Sequence, residues 1–246
     1  MNTSTNDASN DSKQALVIGA NGGIANAIVQ QLLPHYQVTG VSRSESSFVH
    51  SHYQHRQVVD QTEQQIEEIC ASFSHPLHLV VCCIGMLHSD TQQVFPEKRL
   101  EELSATALQG YFHTNVITPS LWLKSLPKRM ARKQRTDVVF ISARVGSLND
   151  NRLGGWYGYR ASKAALNMLV KTAQVEIKRR LPECILSLYH PGTVNTDLSK
   201  PFQSNVASGK LFTPEFTAQQ LLSELAKRDV DNAPHYFDWE GKTIPW

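Results

Sequence analysis

Short apolar runs rich in Val, Ile and Leu alternate along this chain with longer stretches of helical spacing. The apolar runs predict strands at Gln14–Ile18, Gln37–Ser42, 57–59, 77–83, 138–142 and 185–190, with a seventh between positions 236 and 244. Between them Ile24, Ile28 and Leu32, then Ile66, Ile69 and Phe73, then Ala161, Ala164, Ala165, Met168 and Leu169 recur at three- and four-residue intervals, which predicts helices that each bury one face. Strands apolar on both faces, joined by helices, specify an α/β fold: a Rossmann-like, doubly wound, mostly parallel seven-stranded sheet with helices on both faces. Pro34, Pro76, Pro127, Pro182 and Pro191 fall between or at the ends of these elements, where a residue without an N–H does least harm. The longest stretch without a period is 198–214, a candidate lid or binding segment.

Composition narrows the picture. With 41% hydrophobic and 19% charged residues in 246, the chain reads as globular, and a chain of this length buries roughly 70% of its unfolded surface. A formal charge of +2 argues for neither nucleic acid nor an anionic membrane. No window approaches the ~18 apolar residues of a membrane helix. Cys70, Cys82, Cys83 and Cys184 are too few and too unevenly spaced for a disulfide framework, which suggests reduced thiols and a cytoplasmic address. Residues 1–12, polar and without a basic start or apolar stretch, are expected to be a disordered tail, and 13–246 a single catalytic domain.

Three groups of residues carry candidate chemistry. The run Gly19, Ala20, Asn21, Gly22, Gly23, Ile24 follows the first strand and opens the first helix, where glycines let backbone amides approach a pyrophosphate. The second strand ends at Ser42-Arg43; an acidic residue there would suit the ribose of NAD(H), whereas a hydroxyl and a cation suit the 2′-phosphate of NADP(H). Tyr159 and Lys163 are four apart at the start of a helix and therefore share a face. A neighbouring ammonium is expected to lower the phenol's pKa so that it exchanges a proton with a carbonyl or alcohol.

In this combination the chain resembles a short-chain dehydrogenase/reductase from about Lys13 to its C-terminus. Gly19, Gly23 and Ala25 match the family's glycine turn, with Ile18 in place of its Thr and Ala25 in place of its last Gly. Cys82-Cys83-Ile84-Gly85 stands where N-N-A-G is usual, Tyr159 with Lys163 matches the Y-x-x-x-K pair, and Pro191-Gly192-Thr193-Val194-Asn195-Thr196 resembles the segment that holds the nicotinamide carboxamide. The resemblance implies that Asp60 contacts the adenine and that Asn115 holds a proton-relay water. It also implies that Cys83, Gly85, Pro191, Gly192, Val194 and Thr196 help bind the cofactor. A homodimer or homotetramer acting on a small carbonyl or alcohol substrate is expected from it too. The segments 142–147 and 154–157 and the final Ile244-Pro245-Trp246 resemble the C-factor-like bacterial branch. That branch supplies a rival reading, a nucleotide-binding signalling or regulatory protein with little or no turnover.

One departure concerns the serine that polarises the carbonyl. A gapless match to the family's I-S-S pattern puts Ala143 at its position, with Ser142 one residue early and an enlarged loop before Tyr159. Ser142 is the expected substitute, turned inward by a local bulge, and Ser147 the alternative. His50, His52 and His55 have polar flanks and no carboxylate or cysteine beside them, so they read as a solvated loop and no metal is expected. The basic run 124–135 complements a helix C-terminus. Trp156, Leu198, Phe202, Phe212 and Trp246 suggest an apolar pocket or a subunit interface.

Overall fold

The computed structural model describes residues 12–246; nearly all of the expected N-terminal tail lies outside them. The chain runs β1 (Gln14–Ile18), α1 (Gly23–Leu32), β2 (Gln37–Ser42), β3 (Tyr53–Gln57), α2 (Glu63–Ala71), β4 (Leu77–Cys82) and α3 (Ala105–Phe112). A π-helical turn at His113–Ile117 leads into α4 (Thr118–Ser125), followed by β5 (Thr136–Ile141), α5 (Tyr157–Arg180) and β6 (Cys184–His190). The last part comprises β7 (Thr193–Val194), β8 (Leu211–Phe212), α6 (Pro214–Leu225) and β9 (His235–Asp238).

Seven strands form one sheet in the order β3-β2-β1-β4-β5-β6-β9, and every pairing in it is parallel. Alternation along the strands sends Leu16, Ile18, Val80, Phe140 and Leu186 to one face, against Ile66, Trp122, Leu166 and Val170 of the helices there. Ala15, Val17, Val81 and Val139 go to the other, against Ile28 and Leu32 of α1 and Leu221 of α6. Strand order turns back at β1, whose neighbours are β2 and β4. A doubly wound sheet opens its ligand crevice beyond the carboxyl ends of the strands at such a point.

The central strands fall where the apolar runs predict them, and three readings need correction. The third strand is Tyr53–Gln57, not 57–59: as the sheet's edge strand its residues are half-buried or exposed, so it carries no apolar run. His55 therefore lies in a strand rather than a loop. On α5, Met168 and Leu169 face outward, and the buried stripe is Leu166, Val170 and Ile177. The region 198–214 contains a short 3-10 helix (Lys200–Asn205) and the β8 strand, which pairs with β7 in a small second sheet.

Candidate active site

A cleft of about 630 Å³ opens beyond the carboxyl ends of β1, β4, β5 and β6. Its floor begins at the turn after β1. Gly19 adopts φ +82°, and a Cβ there would lie 3.3 Å from the Cys83 carbonyl carbon, so only glycine lets the turn cross β4 this closely. Gly22 stands at the N-terminus of α1 with no side chain capping it, which leaves the first amides of the helix to the cleft that Asn21, Gly22, Gly23 and Ile24 line. A Cβ on Gly23 would meet Thr196 Cγ2 at 2.9 Å, so a small residue here seats the segment after β6 against the helix start. Free amides at a helix N-terminus in a crevice of this size fit the pyrophosphate of a nicotinamide dinucleotide.

The far end of this half holds Arg43, exposed and lining the cleft, its main-chain carbonyl accepting from Gln57 Nε2 at 2.9 Å. Ser42 is buried; its hydroxyl donates to the Ser44 carbonyl at 2.7 Å and meets His55 Nε2 at 2.8 Å. Because the one hydroxyl hydrogen goes to Ser44, His55 supplies the proton of the second bond. Asp60 is exposed after β3 and, like Ser42 and Gly19, does not line the cleft itself.

In the other half, Tyr159 and Lys163 lie in the first turns of α5, both buried, with the ammonium 5.8 Å from the phenol ring centroid. Lys163 Nζ donates to the Ile141 carbonyl at 3.0 Å. Burial pulls the Lys163 ammonium down to about 8 and holds the Tyr159 phenol well above its ordinary value, with Tyr236 pushing it the same way. The expected lowering of Tyr159 by the lysine is therefore not seen: loss of water dominates, and the phenol is kept in its protonated form. Gly85 separates Lys163 from Asn115: a Cβ on it would sit 3.4 Å from Lys163 Nζ and 3.8 Å from Asn115 Oδ1. Asn115, in the π-helical turn, is fully buried. Its Oδ1 accepts from Met86 N at 2.7 Å, and its Nδ2 donates to the Met86 carbonyl at 2.9 Å and to Ser162 Oγ at 3.0 Å. Both amide hydrogens are spent, so the side chain has no further hydrogen to donate.

Ser142 and Ala143 both line the cleft. Ala143 packs in one apolar cluster with Tyr159, Tyr111, Met86 and Leu87. The Ser142 hydroxyl donates to Asn167 Oδ1 at 2.6 Å, and Asn167 Nδ2 donates to the Gly146 carbonyl at 3.3 Å, which fixes the amide's orientation. Ser147 is buried outside the cleft, its hydroxyl accepting from Asp150 N. Tyr236 donates to the Ala143 carbonyl at 2.7 Å, and Arg144 pairs with Asp238 at 2.5 Å, so β9 clamps the segment after β5. His190 lines the same wall, held down to about 3 by burial and by the Arg144 cation, hence neutral. Cys83, Pro191, Gly192, Val194 and Thr196 complete the lining beside Trp156, Leu198 and Phe202.

Asn167, Tyr236 and His190 are partners that the sequence does not single out, and His55, expected in a solvated loop, is a fourth. Only Asn167 left a usable signal: it stands four residues beyond Lys163, so Tyr159, Lys163 and Asn167 form one stripe along α5.

The chain belongs to the short chain dehydrogenase family, whose model matches residues 13–207. It is an NAD(P)-dependent dehydrogenase/reductase by that membership. It is 27% identical over 233 residues to a benzil reductase ((S)-benzoin forming) of Bacillus subtilis, covering 86% of this chain and 93% of that one. It is 34% identical over 110 residues to C-signal of Myxococcus xanthus, covering 44% and 60%. Among solved structures, NADPH-bound carbonyl reductase from chicken fatty liver superposes with a TM-score of 0.81 at 22% identity, covering 95% of this chain and 99% of that one. Among the described residues no helix is long and apolar enough to cross a membrane, and no group of three or more His, Cys, Asp or Glu is placed to hold a metal ion.

Proposed function

We propose that this protein reduces a ketone or aldehyde to the alcohol, reversibly, with NADP(H) as its cofactor. The observation that carries the reading is that Tyr159 and Lys163 line the same cleft as the uncapped start of α1, with Asn115 buried just behind that lining, across Gly85 from Lys163. The nicotinamide, when bound, supplies the hydride that adds to the carbonyl carbon. Tyr159 gives the carbonyl oxygen its proton, a task for which a phenol kept protonated by burial is suited. Lys163 holds the nicotinamide ribose and steadies the phenolate left behind, and Asn115 holds the water that returns the proton. Gly19, Asn21, Gly22, Gly23 and Ile24 seat the pyrophosphate, Arg43 the 2′-phosphate and Asp60 the adenine. Cys83, Gly85, Pro191, Gly192, Val194 and Thr196 wrap the rest. Ser142 reaches the carbonyl oxygen only by giving up Asn167.

Four free thiols fit a cytoplasmic address. Ile117, Met168, Leu169 and Val175, apolar and exposed, fit a homodimer or homotetramer. The test is NADPH consumption with benzil and a panel of ketones and aldehydes, in wild type and in Tyr159→Phe. The variant should bind NADPH as wild type does and lose at least about a hundredfold in turnover. Unchanged turnover removes Tyr159 from the mechanism.

Ala143, where the family has its serine, favours a second reading: a nucleotide-binding signalling protein with little turnover. Tight NADPH binding with no carbonyl reduced across the panel would decide for it.

A further inference from the structure

Glu97 lies in the long connection between β4 and α3, yet it is only 3% exposed. One carboxylate oxygen, Oε2, accepts from Gly158 N in the first turn of α5 at 3.1 Å; the other is buried without a partner among the described residues. Its main-chain carbonyl accepts from Trp156 N at 2.5 Å. Trp156 occupies the N-cap of α5 at φ 52°, ψ 42°, a left-handed conformation that a bulky side chain avoids, and its own side chain caps nothing. Glu97 does that work from outside the helix, with a negative charge at the positive end of the dipole. The fit is close: a Cβ on Gly158 would lie 2.5 Å from Tyr111 Cδ2 and 2.9 Å from Glu97 Oε1. Tyr111 in turn packs on Tyr159, ring centroids 6.2 Å apart, and Trp156 packs on Tyr159 at the same separation.

Stability alone would be served as well by an apolar side chain, since burying a carboxylate for so few hydrogen bonds costs more than it returns. What a carboxylate adds is direction: it pins one amide of the turn that carries Tyr159. We propose that Glu97 is a positioning residue, anchoring the start of α5 so that Tyr159 and the Trp156 wall are held at the cleft. Only the kinetic part of its test rests on the carbonyl-reductase reading.

The experiment compares Glu97→Ala, Glu97→Gln and Gly158→Ala with wild type in benzil reduction, NADPH affinity by calorimetry and hydrogen exchange of residues 155–160. Glu97→Ala should lower kcat about ten- to a hundredfold, the scale of a small misplacement of a catalytic group, with NADPH affinity within about twofold. Glu97→Gln keeps an acceptor oxygen and should retain kcat within about threefold, because the amide oxygen takes the same bond. Gly158→Ala, which pushes Glu97 and Tyr111 away, should reproduce the Glu97→Ala pattern. Exchange at Gly158 N–H should quicken in Glu97→Ala and stay slow in Glu97→Gln. Wild-type kcat in Glu97→Ala, or parallel loss of kcat and NADPH affinity, overturns the proposal. Should Glu97→Ala fail to fold, full kcat in Gly158→Ala overturns it. If wild type does not reduce benzil, unchanged protection of Gly158 in Glu97→Ala overturns it independently of the reaction.

Discussion

Ser142 spends its only hydroxyl hydrogen on Asn167 Oδ1, 2.6 Å away, while its neighbour Ala143 is the residue packed with Tyr159. A hydroxyl that polarises a carbonyl must donate to it, most strongly as negative charge builds on the oxygen. Ser142→Ala should therefore act first on stability, by about 1–3 kcal/mol for a buried acceptor left unpaired, and lower kcat less than about tenfold. Ala143→Ser should raise kcat. Thermal unfolding and steady-state kinetics check both, and a hundredfold fall in kcat for Ser142→Ala would make Ser142 a direct carbonyl contact.

Lys163 carries a second consequence of burial. Its pKa is lowered in the folded state, to about 8 from the ordinary 10.5, so at neutral pH the fold holds an ammonium at a cost that the solvated, unfolded chain does not bear. The unfolded chain binds that proton more tightly, and stability from this group rises with pH between about 8 and 10.5. Lys163→Met should abolish turnover yet raise the melting temperature at pH 7 by several degrees, since a shift of this size amounts to roughly 3 kcal/mol before packing losses. The gain should shrink above pH 8 and vanish near 10.5. A variant less stable than wild type at pH 7 would show that the bond to the Ile141 carbonyl outweighs the desolvation.

How far the sequence could be read depended on whether a residue's role is periodic. β1, β4, β5 and β6 are apolar on both faces and stand out from their neighbours. Tyr53–Gln57 does not, because an edge strand needs no apolar run. Tyr159 and Lys163 were legible as a helical pair, and Gly19 to Ile24 as a turn between a strand and a helix. The tie of Ser142 to Asn167 and the grip of Glu97 on Gly158 join residues far apart in the chain, and no spacing encodes them. On α5 the alanine stripe suggested the wrong buried face, because the true one is interrupted by Ser162, Lys163, Asn167 and Gln174, polar groups that the site and the core hydrogen-bond.

Arg43 is the residue on which cofactor preference should depend. It is a cation lining the cleft, held at its main chain by Gln57, whereas the Ser42 hydroxyl is already engaged by Ser44 and His55. A charge-assisted bond to a 2′-phosphate contributes roughly 1.5–3 kcal/mol, less where solvent reaches it, so NADPH should bind about ten- to a hundredfold more tightly than NADH. Calorimetry should show that preference shrinking in high salt and lost in Arg43→Ala, with Ser42→Ala keeping most of it. Equal affinities in wild type would refute the assignment.

The half of the cleft around Tyr159 is aromatic. The Trp156 and Phe202 rings stand 5.2 Å apart and Trp156 and Tyr159 6.2 Å, with Leu87, Val145 and Leu198 lining the same cleft; His88, outside the lining, backs Phe202 at 5.9 Å. Stacked or edge-on aromatic contacts contribute about 0.5–1.5 kcal/mol beyond the area they bury, a gain open to a ketone that bears aryl groups and closed to a small aldehyde. Phe202→Ala should therefore raise KM for benzil several-fold while leaving KM for propanal nearly unchanged, and kcat should follow neither strongly because the ring packs on Trp156 rather than on Tyr159. The control is NADPH affinity, which Phe202→Ala should leave intact. An equal rise in KM for both substrates would mean that Phe202 shapes the 198–214 segment as a whole rather than a seat for aryl groups.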